Sequence, residues 1–471
     1  MLFNSIPFLI FFPVVTLFFY AIPHRIRWLW LLAASCFFYM FFVPQYILIL
    51  LITILIDYVA GIYIEKTTGK KRKALLVMSI ISTCLVLLIF KYLGFLNQNL
   101  SLLSQYLGFN YPNRTLNIIL PIGLSFHTFQ SLSYVIEVYR GNQKAERHFG
   151  IYSLYVMFYP QLVTGPIERP QNLLRQLREQ QYFKLDNLIK GLRLILFGLF
   201  AKMVIADNLG VYVDNVYADP GSHNSWSILT ALFFYSFQIY CDFFGYSTVA
   251  VGCAKAMGYS ITDNFRTPYL AQNIGEFWHR WHISLSTWFR DYVYFPLGGS
   301  RVKTMRLIFN VMVVFMLSGF WHGANWTFVC WGAAYGIVYL IERPFHKFLS
   351  TVEKCSTLLR IALRSLSVIK NFILITAIWV LFRAPDLSHI KTIFTSIAAN
   401  FTLTDHFSVK TNVWLFLGLF ILLDILLRKS RFDNWCSRRH PIVRWCIYVV
   451  MFFAIIVFAS VNSFPFIYFQ F

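Results

Sequence analysis

About twelve apolar runs, most of them near the twenty residues that cross a bilayer as a helix, decide what this chain can fold into. They lie near 3–22, 28–43, 46–63, 74–93, 116–138, 188–206, 226–243, 306–321, 326–341, 371–383, 412–427 and 446–463. A backbone in hydrocarbon finds no water, so each run must satisfy its own peptide groups, and a helix does this. Composition closes the soluble alternative: 58% of residues are hydrophobic and 13% charged, too few charges to coat a globule. The expectation is an all-α polytopic membrane protein of about 11–12 transmembrane helices in one domain, 1–471, embedded in a lipid bilayer. Residues 1–22 lack a basic leader and a small-residue cleavage site, and are read as the first span rather than a removed signal peptide.

The formal charge of +21 would suggest nucleic acid in a soluble protein. Nothing here looks like a nucleic-acid module, and no such partner is expected. The distribution of Lys and Arg explains the charge instead. One alternating set of loops holds two near 23–27, five in 64–73, seven in 139–187, and six each in 244–305, 342–370 and 428–445. The other set holds only Arg114, Lys391 and Lys410. The positive-inside rule then puts the first set in the cytoplasm and both termini outside. The expected outer loop 207–225 carries Asp207, Asp214 and Asp219 and no Lys or Arg. The eight cysteines show no metal spacing and are read as packing residues.

Two cytoplasmic stretches, 149–170 and 244–300, the latter with an apolar piece near 245–260 and then a Trp-rich segment, are too apolar for ordinary loops and would spoil the charge alternation as spans. They are expected to be re-entrant or interfacial elements. Broken backbone at membrane depth is tolerated where it is buried in protein or lines a wet cavity, which makes these stretches places to look for chemistry.

Polar residues in such a chain need reasons. The segment FWHRWHISLSTWFRDYVYFPLGGSR (277–301), drawn as one helix, puts Trp278, Trp281, His282, Leu285, Trp288 and Phe289 on one stripe. His279, Ser286 and Arg290 fall on another face, followed by a Gly turn after Pro296. An interfacial amphipathic helix explains the tryptophans and arginines. It does not explain His282, for which a hydrogen-bonded core histidine and a catalytic one both fit. In SGFWHGANWTFVCWG (318–332), His322 lies between apolar runs with Gly319, Gly323 and Asn325 close by. It is either the cap of a tight helical hairpin or a base at membrane depth. Asp242, with Gln238, either lines a cavity or caps a helix that ends at Gly245. Asp57, Glu137 and Asp424, near cytoplasmic ends, are expected to be structural, snorkelling or pairing with local Lys and Arg. No Walker A, HExxH or GxSxG motif occurs. His279 and His282 at i, i+3 find no further metal ligand nearby, so no metal is expected.

Several blocks together resemble the membrane-bound O-acyltransferase family, and within it the bacterial alginate O-acetyltransferase branch, which is similar to peptidoglycan O-acetyltransferases. They are LPIGLSFHTFQSLSYVIEVYRG (120–141), PQLVTGPIERP (160–170), FQIYCDFFGYSTVAVG (237–252), the 264–301 block, GFWHGANWTFVCWGAAYG (319–336) and WVLFRA (379–384). The branch commonly has Ser and Asp where this chain has Phe244 and Thr248. The resemblance implies a helical bundle with re-entrant pieces around a central tunnel, and a catalytic core near 116–341. It implies His322 as the catalytic His and His282 as the second active-site position, often Asn in distant members. Gln238, Asp242, Trp281, Trp288, Arg290 and Asn325 are candidates to line the tunnel. Arg301 and Lys303 are candidates to hold a donor's phosphates, or equally anionic headgroups. The implied donor is acetyl-CoA, with no tightly bound cofactor. The implied setting is the bacterial cytoplasmic membrane, with a separate extracytoplasmic SGNH-type protein completing transfer to a polysaccharide or to peptidoglycan. D-alanyl transfer to teichoic acid, a sister activity, and polysaccharide export are the competing readings.

Overall fold

The computed structural model describes residues 1–109, 111, 121–163, 165–352, 357–401, 409–459 and 466–467, with backbone alone at 345–352 and 357–358. Arg114, Thr164, Cys355 and the run ends 116–120 and 460–463 fall outside these residues. Every regular element among the described residues is a helix. Each of the twelve apolar runs has most of its described residues on one. Seven helices are long and apolar enough to span a bilayer: Tyr46–Lys66, Gly69–Leu107, Ser225–Ala256, Thr304–His322, Leu359–Arg383, Thr411–Lys429 and Pro441–Phe458. Ile6–Ala21 is a shorter apolar helix. The remaining runs lie on His24–Met40, Leu124–Arg140, Leu185–Leu199 with its continuation to Ala206, and Trp326–Val352.

Several boundaries differ from the sequence reading. The Ser225–Ala256 helix does not end at Gly245; its 32 residues run about 48 Å, well past the bilayer core, and take in most of the apolar piece 245–260. Gly245 serves close approach instead, since a Cβ there would sit 2.7 Å from the Gly198 carbonyl oxygen. The expected outer loop after 206 begins as the Asp207–Ala218 helix. The run at 74–93 continues through a π-helical segment, Leu88–Tyr92, to Leu107. Residues 149–170 form the short helices Phe149–Met157 and Tyr159–Leu162, broken at Phe158, with their side chains buried apart from Phe149.

The chain forms two compact units, Met1–Ile195 with Ser247–Thr262, and Leu196–Tyr246 with Asp263–Phe471. The first is built around buried tyrosines; the Tyr134 and Tyr152 rings lie 4.5 Å apart. Asp57 sits there fully buried, accepting from Ser79 Oγ at 2.6 Å and Thr83 Oγ1 at 3.1 Å. Hydroxyls, not the expected Lys or Arg, serve it, because a short side chain packed between helices cannot reach the interface. Glu137 does pair with Arg140, at 3.2 Å. The second unit packs around Trp281, Trp331, Trp379, Tyr240 and Tyr335, all buried. In it Asp424 accepts from Tyr240 Oη at 2.9 Å rather than from a cation.

Candidate functional site

The second unit holds both histidines singled out in the sequence. His322 is the last residue of the Thr304–His322 helix, and Gly323, in extended conformation, ends it. The next helix starts at Trp326, three residues later, so the two pack as a tight hairpin. Asn325 closes the turn: its Oδ1 accepts from the Thr327 amide at 3.1 Å, and its Nδ2 donates to the Pro385 carbonyl at 2.8 Å. The glycines here bring helix against helix. A Cβ on Gly319 would lie 2.2 Å from the Phe328 carbonyl oxygen, and one on Gly332 would lie 2.3 Å from that of Phe315. His322 itself is buried where the hairpin turns, 4% exposed.

His282 is positioned differently, and the single helix drawn through 277–301 does not exist. The chain forms Ile274–Arg280, breaks at Trp281 and His282, and resumes as Ile283–Phe289 and a π-helical turn, Arg290–Tyr294. His282 takes the left-handed conformation, φ 44° and ψ 53°, which non-glycine residues adopt at a cost. The segment 264–267 holds it there. The Ile283 amide donates to the Asn264 carbonyl at 2.9 Å, and Ser284 Oγ donates to Asn264 Oδ1 at 2.7 Å. The Arg266 amide donates to the Arg280 carbonyl at 3.0 Å, and the Arg280 guanidinium returns to Thr267, the other non-glycine residue at positive φ. These bonds outweigh the helical preference of the surrounding sequence, so the stripe drawn for a continuous helix is cut at its centre.

The break leaves His282 fully buried, its ring edge-on to Phe243 with centroids 4.6 Å apart. Trp321 is the ring shared by the two histidines, 6.3 Å from His282 and 4.7 Å from His322 between centroids. Trp331 at 5.0 Å and Phe382 at 5.3 Å close around His322. Behind them Trp379 donates to Tyr269 Oη at 3.2 Å, and Tyr269 donates in turn to the Ser236 carbonyl at 2.5 Å. An imidazole in such a wall can take a proton from a hydroxyl and pass it to a leaving group, while the rings exclude water.

The other candidates are spread more widely. Trp281 is a core residue, 5.0 Å from Trp379 between ring centroids. Trp288 is buried against Tyr292. Arg290 is exposed and pairs with Asp291 at 2.9 Å. Arg301 and Lys303 are exposed, after a turn in which Asn310 Nδ2 donates to the Leu297 and Gly299 carbonyls. His279 is exposed and bonded to the Gly275 carbonyl at 2.6 Å, whereas His282 is buried. Gln238 is buried on the Ser225–Ala256 helix, one turn before Asp242.

Asp242 caps no helix end. It pairs with Lys202 Nζ at 2.6 Å, and Lys202 also pairs with Asp207 at 2.7 Å. All three are buried, Lys202 sits in the π-helical segment Phe200–Ala206, and Asp242 Oδ2 accepts from the Ile467 amide. The sequence reading missed this group because Asp207 was assigned to an outer loop. A Lys inside the run 188–206 was the available signal, since a cation within a span needs an anion.

The sequence model described as "MBOAT, membrane-bound O-acyltransferase family" matches residues 148–382, which include His282 and His322. The chain is 36% identical over 392 residues to the "probable alginate O-acetylase" of Azotobacter vinelandii, spanning 82% of this chain and 76% of that one. It is 34% identical over 421 residues to the peptidoglycan O-acetyltransferase of Helicobacter pylori, spanning 82% and 77%. The teichoic acid D-alanyltransferase of Bacillus subtilis is 29% identical over 245 residues, 49% of this chain and 61% of that one.

Proposed function

The chain belongs to the membrane-bound O-acyltransferase family and is an O-acyltransferase, and from that premise we propose that it moves acetyl groups from a cytoplasmic thioester donor, acetyl-CoA, across the membrane for O-acetylation of an extracellular polysaccharide such as alginate, or of peptidoglycan. Acetyl is preferred to D-alanyl because the O-acetylating relatives align over 82% of the chain and the D-alanyl one over 49%. The observation that carries the reading is the aromatic enclosure in which Trp321 flanks both His282 and His322.

In this reading His322 accepts the proton of the acceptor hydroxyl as its oxygen attacks the thioester carbonyl. The tetrahedral intermediate collapses, the C–S bond breaks, and the imidazolium returns the proton to the departing thiolate. His282 positions the donor or stabilises the oxyanion. Arg301 and Lys303, both exposed, favour the donor's phosphates. The acceptor hydroxyl is a sugar's or a Ser of an SGNH-type partner outside, and both termini face that side, as the loop charges favour.

The test is transfer of label from acetyl-CoA by purified protein supplied with an acceptor, the polysaccharide together with the SGNH-type partner. His322→Ala should lose at least the 10²–10⁴-fold that a positioned base contributes. His279→Ala, off the enclosure, should stay within a few-fold. Near-normal turnover in folded His322→Ala protein would refute the assignment.

A further inference from the structure

An acyl group hangs from the carbonyl carbon under attack, so its first carbon lies within two bonds of any carbonyl oxygen held by His282. The rings packed on His282 therefore set how many carbons can follow. Trp321 meets both histidines, and Trp331 and Phe382 meet His322. Phe243 meets His282, edge-on, with centroids 4.6 Å apart against 6.3 Å for Trp321.

Phe243 has little freedom to give way. It is fully buried and packed against Phe265 at 5.0 Å and Phe466 at 5.5 Å. Phe265 belongs to the 264–267 segment that clamps His282, and its ring stands 5.1 Å from that of Trp281. Ring and histidine are thus fixed by the same piece of chain. The backbone that carries Phe243 is pinned on both sides. Asp242, just before it, pairs with Lys202 at 2.6 Å. Gly245, two residues after it, is pressed so closely on Gly198 that a Cβ would stand 2.7 Å from the Gly198 carbonyl oxygen. A ring in a close-packed wall of this kind resists displacement by even one methylene.

We infer, resting on the proposed acetyl transfer with His282 at the donor carbonyl, that Phe243 is the specificity-determining residue for acyl length. Trp321 flanks the path between the two histidines along which the acceptor hydroxyl arrives. The acyl tail points the other way, against Phe243. That ring admits the methyl of an acetyl group and turns away propionyl and longer thioesters.

The test compares kcat/KM for acetyl-, propionyl- and butyryl-CoA, read as release of free CoA by the purified full chain with the polysaccharide and an excess of the SGNH-type partner. Wild type should prefer acetyl to propionyl by about 10–200-fold, the range that one methylene commands in a hydrophobic pocket. Phe243→Ala should cut that preference by about tenfold or more. Phe243→Leu, smaller than Phe and still apolar, should cut it part of the way, and decides where the alanine variant fails to fold. Phe234→Leu is the control: this buried ring lies on the same helix, against Tyr212 at 5.4 Å and Trp414 at 4.7 Å, and its loss should leave the preference unchanged. General loosening would slow all three donors together and would not move their ratio. Wild-type rates for acetyl and propionyl within about threefold of each other, or the wild-type ratio retained in the folded Phe243 variants, overturn the role of Phe243 and leave acetyl transfer standing. No release from any of these esters by wild type would overturn the donor reading, and the role of Phe243 with it.

Discussion

Gly319→Ala probes how closely His322 depends on the helical hairpin beneath it. The new Cβ would stand 2.2 Å from the Phe328 carbonyl oxygen and 3.1 Å from the Gly332 amide nitrogen, where ordinary contacts begin at 3.4 Å. Both neighbours are backbone, so no side chain can swing aside. The Thr304–His322 and Trp326–Val352 helices must part by roughly 1 Å, a displacement comparable to the misplacement that costs about 10²-fold in rate. Overpacking of this kind costs about 1–3 kcal/mol of stability, which a bundle of this size should survive. His322 ends the same helix three residues on, and its ring moves with it. The expected outcome is a protein inserted in near-normal amount whose acetyl turnover falls about 10²-fold, with little change in donor KM. Gly418→Ala is the control, because nothing lies within 4 Å of a Cβ there. Turnover in folded Gly319→Ala within about threefold of wild type would show that the reacting geometry does not hang on this crossing.

Other substitutions test neighbouring parts of the account. Asn264→Ala removes the acceptor for Ser284 and should lower turnover about tenfold, the order of one net hydrogen bond, while Asn264→Asp, which keeps the oxygen, recovers most of it; equal activity in the two would refute a positioning role for Asn264. Lys202→Met strands Asp207 and Asp242 without their cation and should destabilise the protein by about 3–5 kcal/mol in thermal unfolding, with Lys202→Met/Asp207→Asn/Asp242→Asn recovering much of the loss; an unshifted midpoint in the single variant would contradict this. A lone cysteine at position 70, in a cysteine-free background, should resist an impermeant thiol reagent applied outside the cell, whereas one at 219 should react; labelling at 70 would reverse the proposed orientation.

The helices were legible because hydrocarbon imposes one backbone solution on every apolar run. Their ends were less so. Asp207 and Gly245 read as stops, since a charge or a glycine at the end of an apolar run marks a boundary in most chains. Here Asp207 is neutralised by Lys202 inside the unit and Gly245 admits the Gly198 carbonyl, so both lie within longer helical stretches. The two histidines were visible as ionisable residues in apolar settings. The ring they share, Trp321, and the clamp on His282 were not, because Asn264 lies eighteen positions before it and the bond that matters is tertiary.

The left-handed backbone at His282 also limits which amino acids position 282 can accommodate. Most side chains pay about 1–2 kcal/mol to enter that conformation, while Gly pays nothing and Asn, Asp and His are the side chains most at home there. Two filters therefore act on one codon: a polar side chain suited to the site, and a backbone willing to turn the wrong way. A saturation library at this codon should separate them. Gly would pass the second filter and fail the first, giving stable, silent protein; Gln or Lys would meet the backbone cost, and unfold about 1–2 kcal/mol more easily before any reaction is measured. His and Asn pass both, so His282→Asn should be the substitution that keeps the most protein and the most turnover.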